Sequence, residues 1–325
     1  MMYSLDEITL IPSIELTTIN SRSEVDPYIN GKLPVFVSPM TCVVNTQNFQ
    51  TFLDSKVIPI LPRGVSRGMP VSSEYKDNWI AVSLSEFLEL INNMEDLNGY
   101  HILIDVANGH MQRIFNLVDK AKEKFPNIII MIGNIANPNI YTICCEHKVD
   151  YVRVGIGGGS ACLTSVLTGI HASLPWILNG ISIAKDYLPE DSFITKVVAD
   201  GGISDTAKIV KCLALGADYV MLGRVFAQCE EACGNKKYID GKVFREYYGM
   251  ASNQGQLDIS GGITKHSEGI STLVPITTNL SEVCYDIESA LRSAFSYTNS
   301  RNLKEFKENV QIDIQSMNEF KSYYK

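Results

Sequence analysis

The sequence predicts an α/β fold, a single closed (β/α)8 barrel of the TIM-barrel class over residues 1–325. Eight short β-rich apolar runs recur along the chain, each followed by a stretch of helical character, most at a spacing of about two dozen residues. Several runs are apolar on both faces, as in IIIMI at 128–132, which is typical of parallel strands covered by helices. An open doubly wound sheet is disfavoured because the first run ends in SPM rather than in a glycine-rich dinucleotide loop.

The helices between these runs follow from apolar periodicity and from their end signals. Residues 111–125 carry one apolar face and stop before Pro126, while residues 204–215 begin with a Ser-Asp pair and end at Gly216. The predicted strands, in chain order, are 35–38, 57–61, 79–83, 101–107, 127–133, 151–155, 196–199 and 219–223.

Two connections are much longer than the others. Residues 157–196 follow the sixth strand and residues 234–273 follow the eighth. In a barrel of this class, the loops that follow the strands carry the chemistry. We therefore expect extended catalytic loops after strands 6 and 8.

Composition narrows the possible partners. Apolar residues make up 45% of the 325 residues, and the formal net charge is −8. An acidic chain is a poor partner for nucleic acid, although backbone amides still bind a small phosphorylated ligand. Neither a membrane-spanning apolar run nor a signal peptide is recognisable, so we expect a cytoplasmic protein without a membrane partner. The eight cysteines show no disulfide or zinc spacing, which favours reduced thiols.

The ends of the seventh and eighth strands predict a phosphate site. Asp200, Gly201 and Gly202 end strand seven, and Gly223 and Arg224 end strand eight. Glycines there let backbone N–H groups approach a phosphate, and these two loops form the recurrent phosphate cradle of such barrels. The alternative is that the glycines only make tight turns, and an FMN-binding barrel would show the same pattern. Asp200 is expected to accept the hydroxyls of a ribose or, alternatively, to cap the next helix.

A glycine-rich loop after the sixth strand predicts a nucleophile. Four glycines lie within residues 155–159, and ordering them costs considerable conformational entropy. Ser160 is placed to donate to a phosphate, and Cys162 falls where a nucleotide base would lie. A lone cysteine is most often a small buried apolar residue. In this loop we interpret Cys162 as a catalytic nucleophile.

At this point a family resemblance becomes specific. The segment GGSACLT at 158–164 resembles the catalytic loop of the IMP dehydrogenase/GMP reductase family, and further motifs follow in the family's order from about Leu5 to Tyr297. Those motifs are SRSEVD at 21–26, SPM at 38–40, GN at 133–134, DGG at 200–202 and YGMAS at 248–252.

Three features place the chain nearer to the reductase branch of that family. No regulatory (CBS) domain is inserted after the second strand, DVANG at 105–109 resembles the reductase form of that motif, and the stretch 249–269 is short and lacks an Arg-Tyr pair. Dehydrogenases place a long flap with such a pair there to activate water. The resemblance therefore implies NADPH-dependent reductive deamination of GMP to IMP and ammonia.

The resemblance also assigns roles to residues. Cys162 would attack C2 of the purine, and Thr164 with Glu268 would relay the proton to the leaving amine. Asp105, Asn108 and Gly109 would bind the cofactor. A potassium ion would be held by backbone carbonyls of the glycine loop, at Gly157 and Gly159 beside Cys162. The substrate contacts implied are Ser38, Met40, Asn134, Ser160, Asp200, Gly201, Gly202, Gly223, Arg224, Tyr247, Gly249, Met250, Ser252 and Lys265.

Several positions depart from the family pattern, which indicates a divergent member. Gly158 replaces a proline, Thr41 replaces the aspartate of Met-Asp-Thr, and Arg224 replaces a small residue. The alternatives are an IMP dehydrogenase that converts IMP to XMP with NAD, or a drifted member acting on a deoxy or modified purine nucleotide. A binding protein that has lost catalysis and an FMN oxidoreductase fit less well. The family's assembly predicts a homotetramer in which residues 293–298 contribute to a neighbouring subunit's cofactor site.

Overall fold

A computed structural model describes residues 3–64, 75–262 and 266–314, and its centre is a closed barrel of eight parallel strands. The barrel closes where its first strand pairs with its last, with Val35 opposite Val220. The predicted (β/α)8 fold class is therefore confirmed. The barrel strands are β2 (Val35–Val37), β3 (Ile58–Leu61), β4 (Trp79–Val82), β5 (His101–Asp105), β6 (Ile129–Ile135), β7 (Tyr151–Val154), β8 (Lys196–Asp200) and β9 (Tyr219–Leu222).

Each predicted strand is present, with ends that differ by no more than two residues. The largest shift is in β6, predicted at 127–133. The Ile128 N–H donates to the Phe125 carbonyl at 3.1 Å in the turn after the preceding helix, so the strand begins later. Pairing with β7 then continues as far as Ile135, which lies opposite Val154.

Helices cover the outside of the barrel, and the two predicted from periodicity are observed. Asp205 caps the helix predicted at 204–215, since its side chain accepts the Lys208 N–H at 2.9 Å. The helices are α1 (Phe49–Asp54), α2 (Leu84–Asn93), α3 (Gln112–Lys124), α4 (Asn139–Glu146), α5 (Thr164–Thr168), α6 (Leu174–Asp186), α7 (Thr206–Ala214), α8 (Arg224–Ala227), α9 (Asn253–Ser260), α10 (Leu280–Tyr297) and α11 (Leu303–Asn309).

Aromatic side chains close one end of the barrel. Phe36 lies 5.5 Å from Trp79 and 5.2 Å from Tyr219 between ring centroids, and Trp79 lies 5.1 Å from Tyr151. Trp79, Tyr151 and Tyr219 are the first residues of their strands, so this packed cluster fills the amino-terminal end. The open end of the barrel is therefore the carboxyl end of the strands.

The two long connections carry their own secondary structure. The connection after β7, the sixth barrel strand, contains α5 and α6. The connection after β9, the eighth barrel strand, contains α8, a hairpin and α9. The hairpin strands β10 (Lys236–Ile239) and β11 (Lys242–Tyr248) form an antiparallel sheet with β12 (Ser271–Pro275). A separate strand pair joins β1 (Ile8–Ile11) to β13 (Gln311–Ile314). Within the described ranges, no helix combines the length and the hydropathy that crossing a membrane requires.

Candidate active site

A cavity of about 520 Å³ opens at the carboxyl end of the barrel. Its size lies within the range of about 300–1,000 Å³ usual for small-molecule sites. Most of the residues selected from the sequence line it, although they come from distant parts of the chain. They are Ser38, Met40, Asp105, Asn134, Gly157, Gly159, Ser160, Cys162, Thr164, Asp200, Gly201, Gly202, Gly223, Arg224, Tyr247, Gly249, Met250 and Glu268.

Cys162, Thr164 and Glu268 form a chain of contacts on one wall of the cavity. The Cys162 Sγ lies 3.3 Å from the Thr164 Oγ1, and that hydroxyl donates to the Glu268 Oε2 at 3.3 Å. The thiol is therefore connected through one hydroxyl to a carboxyl group. Such an array is able to pass a proton between the carboxyl group and a ligand held at the sulfur.

Backbone pairing holds the carboxyl group beside the cysteine loop. Cys162 pairs with Gly269 in an antiparallel bridge, and the Leu163 N–H donates to the Glu268 carbonyl at 2.8 Å. A Cβ on Gly249 would lie 3.1 Å from the Ala161 carbonyl oxygen, and one on Gly269 would lie 3.2 Å from the same atom. The loops after β7 and β11 therefore pack backbone against backbone around the cysteine.

Most of the other cysteines occupy a different environment. Burial raises the pKa of the Cys42 thiol to about 12 and that of Cys233 to about 11, and it also raises the pKa of Cys144 and Cys212. A thiol with a raised pKa stays protonated and unreactive near neutrality. Cys162 is partly exposed, as Cys233 is, but unlike these four cysteines it lines the cavity.

Glycines form the predicted phosphate side of the cavity. Gly201 and Gly202 have φ values of +95° and +75°, and a Cβ on Gly201 would lie 3.3 Å from the Gly159 nitrogen. The glycine loop after β7 thus packs against the glycines after β8. Burial raises the pKa of the nearby Tyr247 phenol to about 12, so this hydroxyl remains a donor. Arg224 is half-buried at the cavity, and no carboxylate of the described residues pairs with it.

Asp200 lies at the mouth of the barrel. Its Oδ2 accepts a hydrogen bond from the Asn134 side-chain amide at 2.9 Å and lies 3.8 Å from the Arg153 Nε. Burial raises the pKa of this carboxyl group, and the Arg153 guanidinium and the Asn134 amide oppose that rise. The cap of α7 is Asp205, so Asp200 does not serve as the helix cap.

The sequence did not predict the two arginines beside Asp105. Arg153 donates to the Asp105 Oδ1 at 2.5 Å, and the Arg63 Nε lies 3.2 Å from the Asp105 Oδ2. Both oxygens of Asp105 are therefore committed to guanidinium groups, which limits what else this carboxylate binds. Arg153 had a signal in the sequence, since it is a charged residue inside the apolar run 151–155.

A few predicted site residues do not line the cavity. Ser252 is buried and caps α9 by accepting the Gly255 N–H at 3.1 Å. Asn108 is exposed and accepts the His110 N–H at 3.0 Å, while the Gly109 N–H donates to the Asn134 carbonyl at 2.8 Å. Lys265 lies outside the described residues.

Comparisons with known proteins identify the family of the chain. A family model described as IMP dehydrogenase / GMP reductase domain matches residues 80–322. GMP reductases of Lactobacillus acidophilus and Albidiferax ferrireducens are 29% and 28% identical over 94% of this chain, covering 92% and 94% of those proteins. The inosine-5'-monophosphate dehydrogenase of Aquifex aeolicus is 34% identical over 65% of this chain, and the match spans only 44% of that enzyme. The chain belongs to the IMP dehydrogenase/GMP reductase family.

Proposed function

We propose that this protein is a GMP reductase, which converts GMP to IMP and ammonia at the expense of NADPH. The observation that carries the proposal is the contact chain from Cys162 through Thr164 to Glu268, on the wall of a cavity that Gly201 and Gly202 also line. The match to GMP reductases over nearly their whole length supports the same assignment.

The proposed binding mode follows from the chemistry of the cavity walls. The phosphate lies against Gly201 and Gly202, with Tyr247 as a donor and Arg224 as a cation. The ribose hydroxyls donate to Asp200. The purine then extends toward Cys162 and lies near Met250, which places its C2 within reach of the sulfur.

The proposed reaction uses the chain's own groups in two stages. The Cys162 thiolate adds to C2, and the C2–N bond to the amino group then breaks. Thr164, backed by Glu268, delivers a proton to the departing amine so that it leaves as ammonia. NADPH, when bound, supplies the hydride that C2 receives. The C2–S bond breaks last, which releases IMP and returns Cys162 to its thiolate form.

The cofactor side of the cavity is proposed near Asp105. Asp105 and Arg153 line the cavity, and Arg63 lies beside Asp105 on its other side. A guanidinium group next to the cavity is a suitable partner for the anionic groups of a nicotinamide dinucleotide. We propose NADPH as the cofactor, with Asn108 and Gly109 contacting it outside the cavity. A comparison of the turnover rates with NADPH and with NADH tests this choice of cofactor.

Potassium at the glycine loop is a further proposal. The Gly157 carbonyl accepts the Ser165 hydroxyl at 3.3 Å, and the Gly159 carbonyl accepts the Cys162 N–H at 3.0 Å. Each carbonyl oxygen keeps a second lone pair, so both atoms are available as cation ligands. Turnover is expected to be higher in KCl than in NaCl at equal ionic strength, and equal rates would count against the ion.

IMP dehydrogenase is the second candidate, because the Aquifex aeolicus enzyme is 34% identical to this chain, against 29% for the Lactobacillus acidophilus reductase, although over a shorter part of the chain. Under either assignment we propose one catalytic barrel over residues 1–325 without an inserted regulatory domain. We also propose a cytoplasmic homotetramer. The exposed apolar side chains Tyr187, at 84% exposure, and Ile183, at 50%, support burial by a neighbouring copy. Light scattering of the purified chain tests the assembly.

The experiment that tests the function is nicotinamide absorbance in parallel reactions of GMP with NADPH and IMP with NAD, using wild type and Cys162→Ala. We expect NADPH consumption with GMP that the substitution abolishes. Activity only with IMP and NAD would show a dehydrogenase. No activity in either reaction, with GMP binding intact, would contradict both assignments. It would indicate a changed substrate preference, and deoxy-GMP would be the next substrate to test.

A further inference from the structure

We propose that Asp258 is a positioning residue, which holds helix α9 in place so that the helix fixes Met250 at the cavity. The role given to Met250 beside a purine rests on the proposed function. The contacts that place Asp258 do not depend on that function.

Asp258 joins three separate segments of the chain. Its Oδ2 accepts the Tyr248 hydroxyl at the end of β11 and the Thr41 hydroxyl in the loop after β2, each at 2.6 Å. Its Oδ1 accepts the Gln254 side-chain amide within α9 at 2.9 Å. Hydrogen bonds from hydroxyls to an ionised carboxylate are about twice as strong as neutral ones. The last turn of α9 is therefore tied to the two loops that flank the cavity.

Loss of the carboxylate would leave a buried group poorly paired. Tyr248 is only 6% exposed, and its other side-chain partner is the Thr41 hydroxyl at 3.4 Å. A buried phenol that loses its acceptor carries a free-energy cost. The tie therefore opposes displacement of α9 even though Asp258 itself lies on the exposed side of the helix.

Helix α9 packs directly against the backbone at Met250. A Cβ on Gly255 would lie 2.6 Å from the Gly249 carbonyl oxygen and 2.7 Å from the Met250 Cα, so the helix rests on that backbone. The Thr41 hydroxyl also lies 3.8 Å from the Met250 Sδ. A shift of α9 would consequently move the side chain that faces the cavity.

The pairing explains a departure in the sequence. Residue 41 is threonine where the family motif has aspartate, and an aspartate here would place a second carboxylate beside Asp258. Like charges at that separation repel each other, and solvent at the exposed side weakens the repulsion only in part. Thr41 and Asp258 therefore form a complementary pair in this chain.

The test measures Met250 first, without any ligand. Hydrogen peroxide oxidation followed by peptide mass spectrometry reports the accessibility of each methionine. We expect Asp258→Ala to raise the oxidation rate of Met250 several-fold and to leave that of Met111, which is 37% exposed, unchanged. Gln254→Ala is the matched control and is expected to match wild type. Thr41→Val, which keeps the carboxylate, is expected to give an intermediate rate.

Turnover of GMP with NADPH is the second arm. We expect kcat/KM for GMP to fall about tenfold in Asp258→Ala and by less in Asp258→Asn, which keeps an acceptor oxygen. An unchanged Met250 oxidation rate in Asp258→Ala overturns the proposal whatever Thr41→Val shows, because the Thr41 hydroxyl also contacts the Met250 Sδ directly. So does a faster Met250 oxidation with unchanged kcat/KM. If wild type itself does not turn over GMP, the proposed function fails, and the oxidation arm still decides whether Asp258 holds Met250.

Discussion

The contact chain from Cys162 to Glu268 makes a quantitative prediction for Thr164→Val. Valine keeps the shape of threonine but removes the hydroxyl that lies 3.3 Å from both the Cys162 Sγ and the Glu268 Oε2. Since one atom bridges both contacts, its loss disconnects the carboxyl group from the reacting centre. General acid catalysis contributes about 10²–10⁴ in rate, equivalent to about 3–5 kcal/mol of barrier, so kcat is expected to fall by that factor.

A double-mutant cycle gives the sharper measurement. If Thr164 and Glu268 act as one relay, Thr164→Val combined with Glu268→Gln is expected to be no slower than the worse single variant. Thr168→Val is the matched control, because its hydroxyl donates to the Thr164 carbonyl at 2.6 Å in the same helix and does not contact the relay. The assay is NADPH absorbance at saturating GMP. Rate losses that multiply, or an equal loss in the Thr168 variant, would refute the relay.

Three further predictions concern binding and stability. Because the pKa of Asp200 is raised and its ionised form accepts the ribose hydroxyls, GMP affinity is expected to fall on acidification at a higher pH than for an ordinary aspartate; calorimetry that finds the same pH profile in Asp200→Asn would contradict this. Phe36→Ala is expected to lower the free energy of unfolding by about 3–5 kcal/mol in urea titrations, against at most about 0.5 for Tyr285→Ala, since Tyr285 is 70% exposed. Gly155→Ala would place a Cβ 2.1 Å from the Asp200 carbonyl oxygen, so GMP affinity is expected to fall at least tenfold, whereas Gly241→Ala, also at positive φ but with open space, is expected to retain wild-type affinity.

The barrel was predictable because its signals are local. The strand at 128–132 and the helix capped by Asp205 depend mainly on residues close to each other in the sequence. Hydrophobic periodicity and helix-end signals therefore predict them. The end of β6 was placed two residues early because it depends on pairing with β7 across the sheet. Strand ends respond to partners that periodicity does not report.

The candidate site likewise combines contacts between neighbouring residues, which the sequence implies, with contacts between distant residues, which it does not. Cys162 and Thr164 are two residues apart, so their proximity was implied by the loop itself, while Glu268 joins them through pairing of residues 104 positions away. The family resemblance selected Glu268, and spacing alone would not have done so. The commitment of Asp105 to two arginines had no counterpart in the sequence reasoning.

By itself, then, the sequence determined the repeated strand and helix units, the glycine loops at the strand ends and the identity of Cys162 as a candidate nucleophile. Only the tertiary structure decided which side chains meet, namely Arg153 with Asp105 and Asp258 with Thr41 and Tyr248. The physical reason is that burial imposes a periodic pattern on the chain, whereas a hydrogen bond between distant side chains leaves none. Closure of the barrel brings the carboxyl ends of all eight strands to one mouth. Side chains from distant parts of the sequence therefore form hydrogen bonds and ion pairs with each other there.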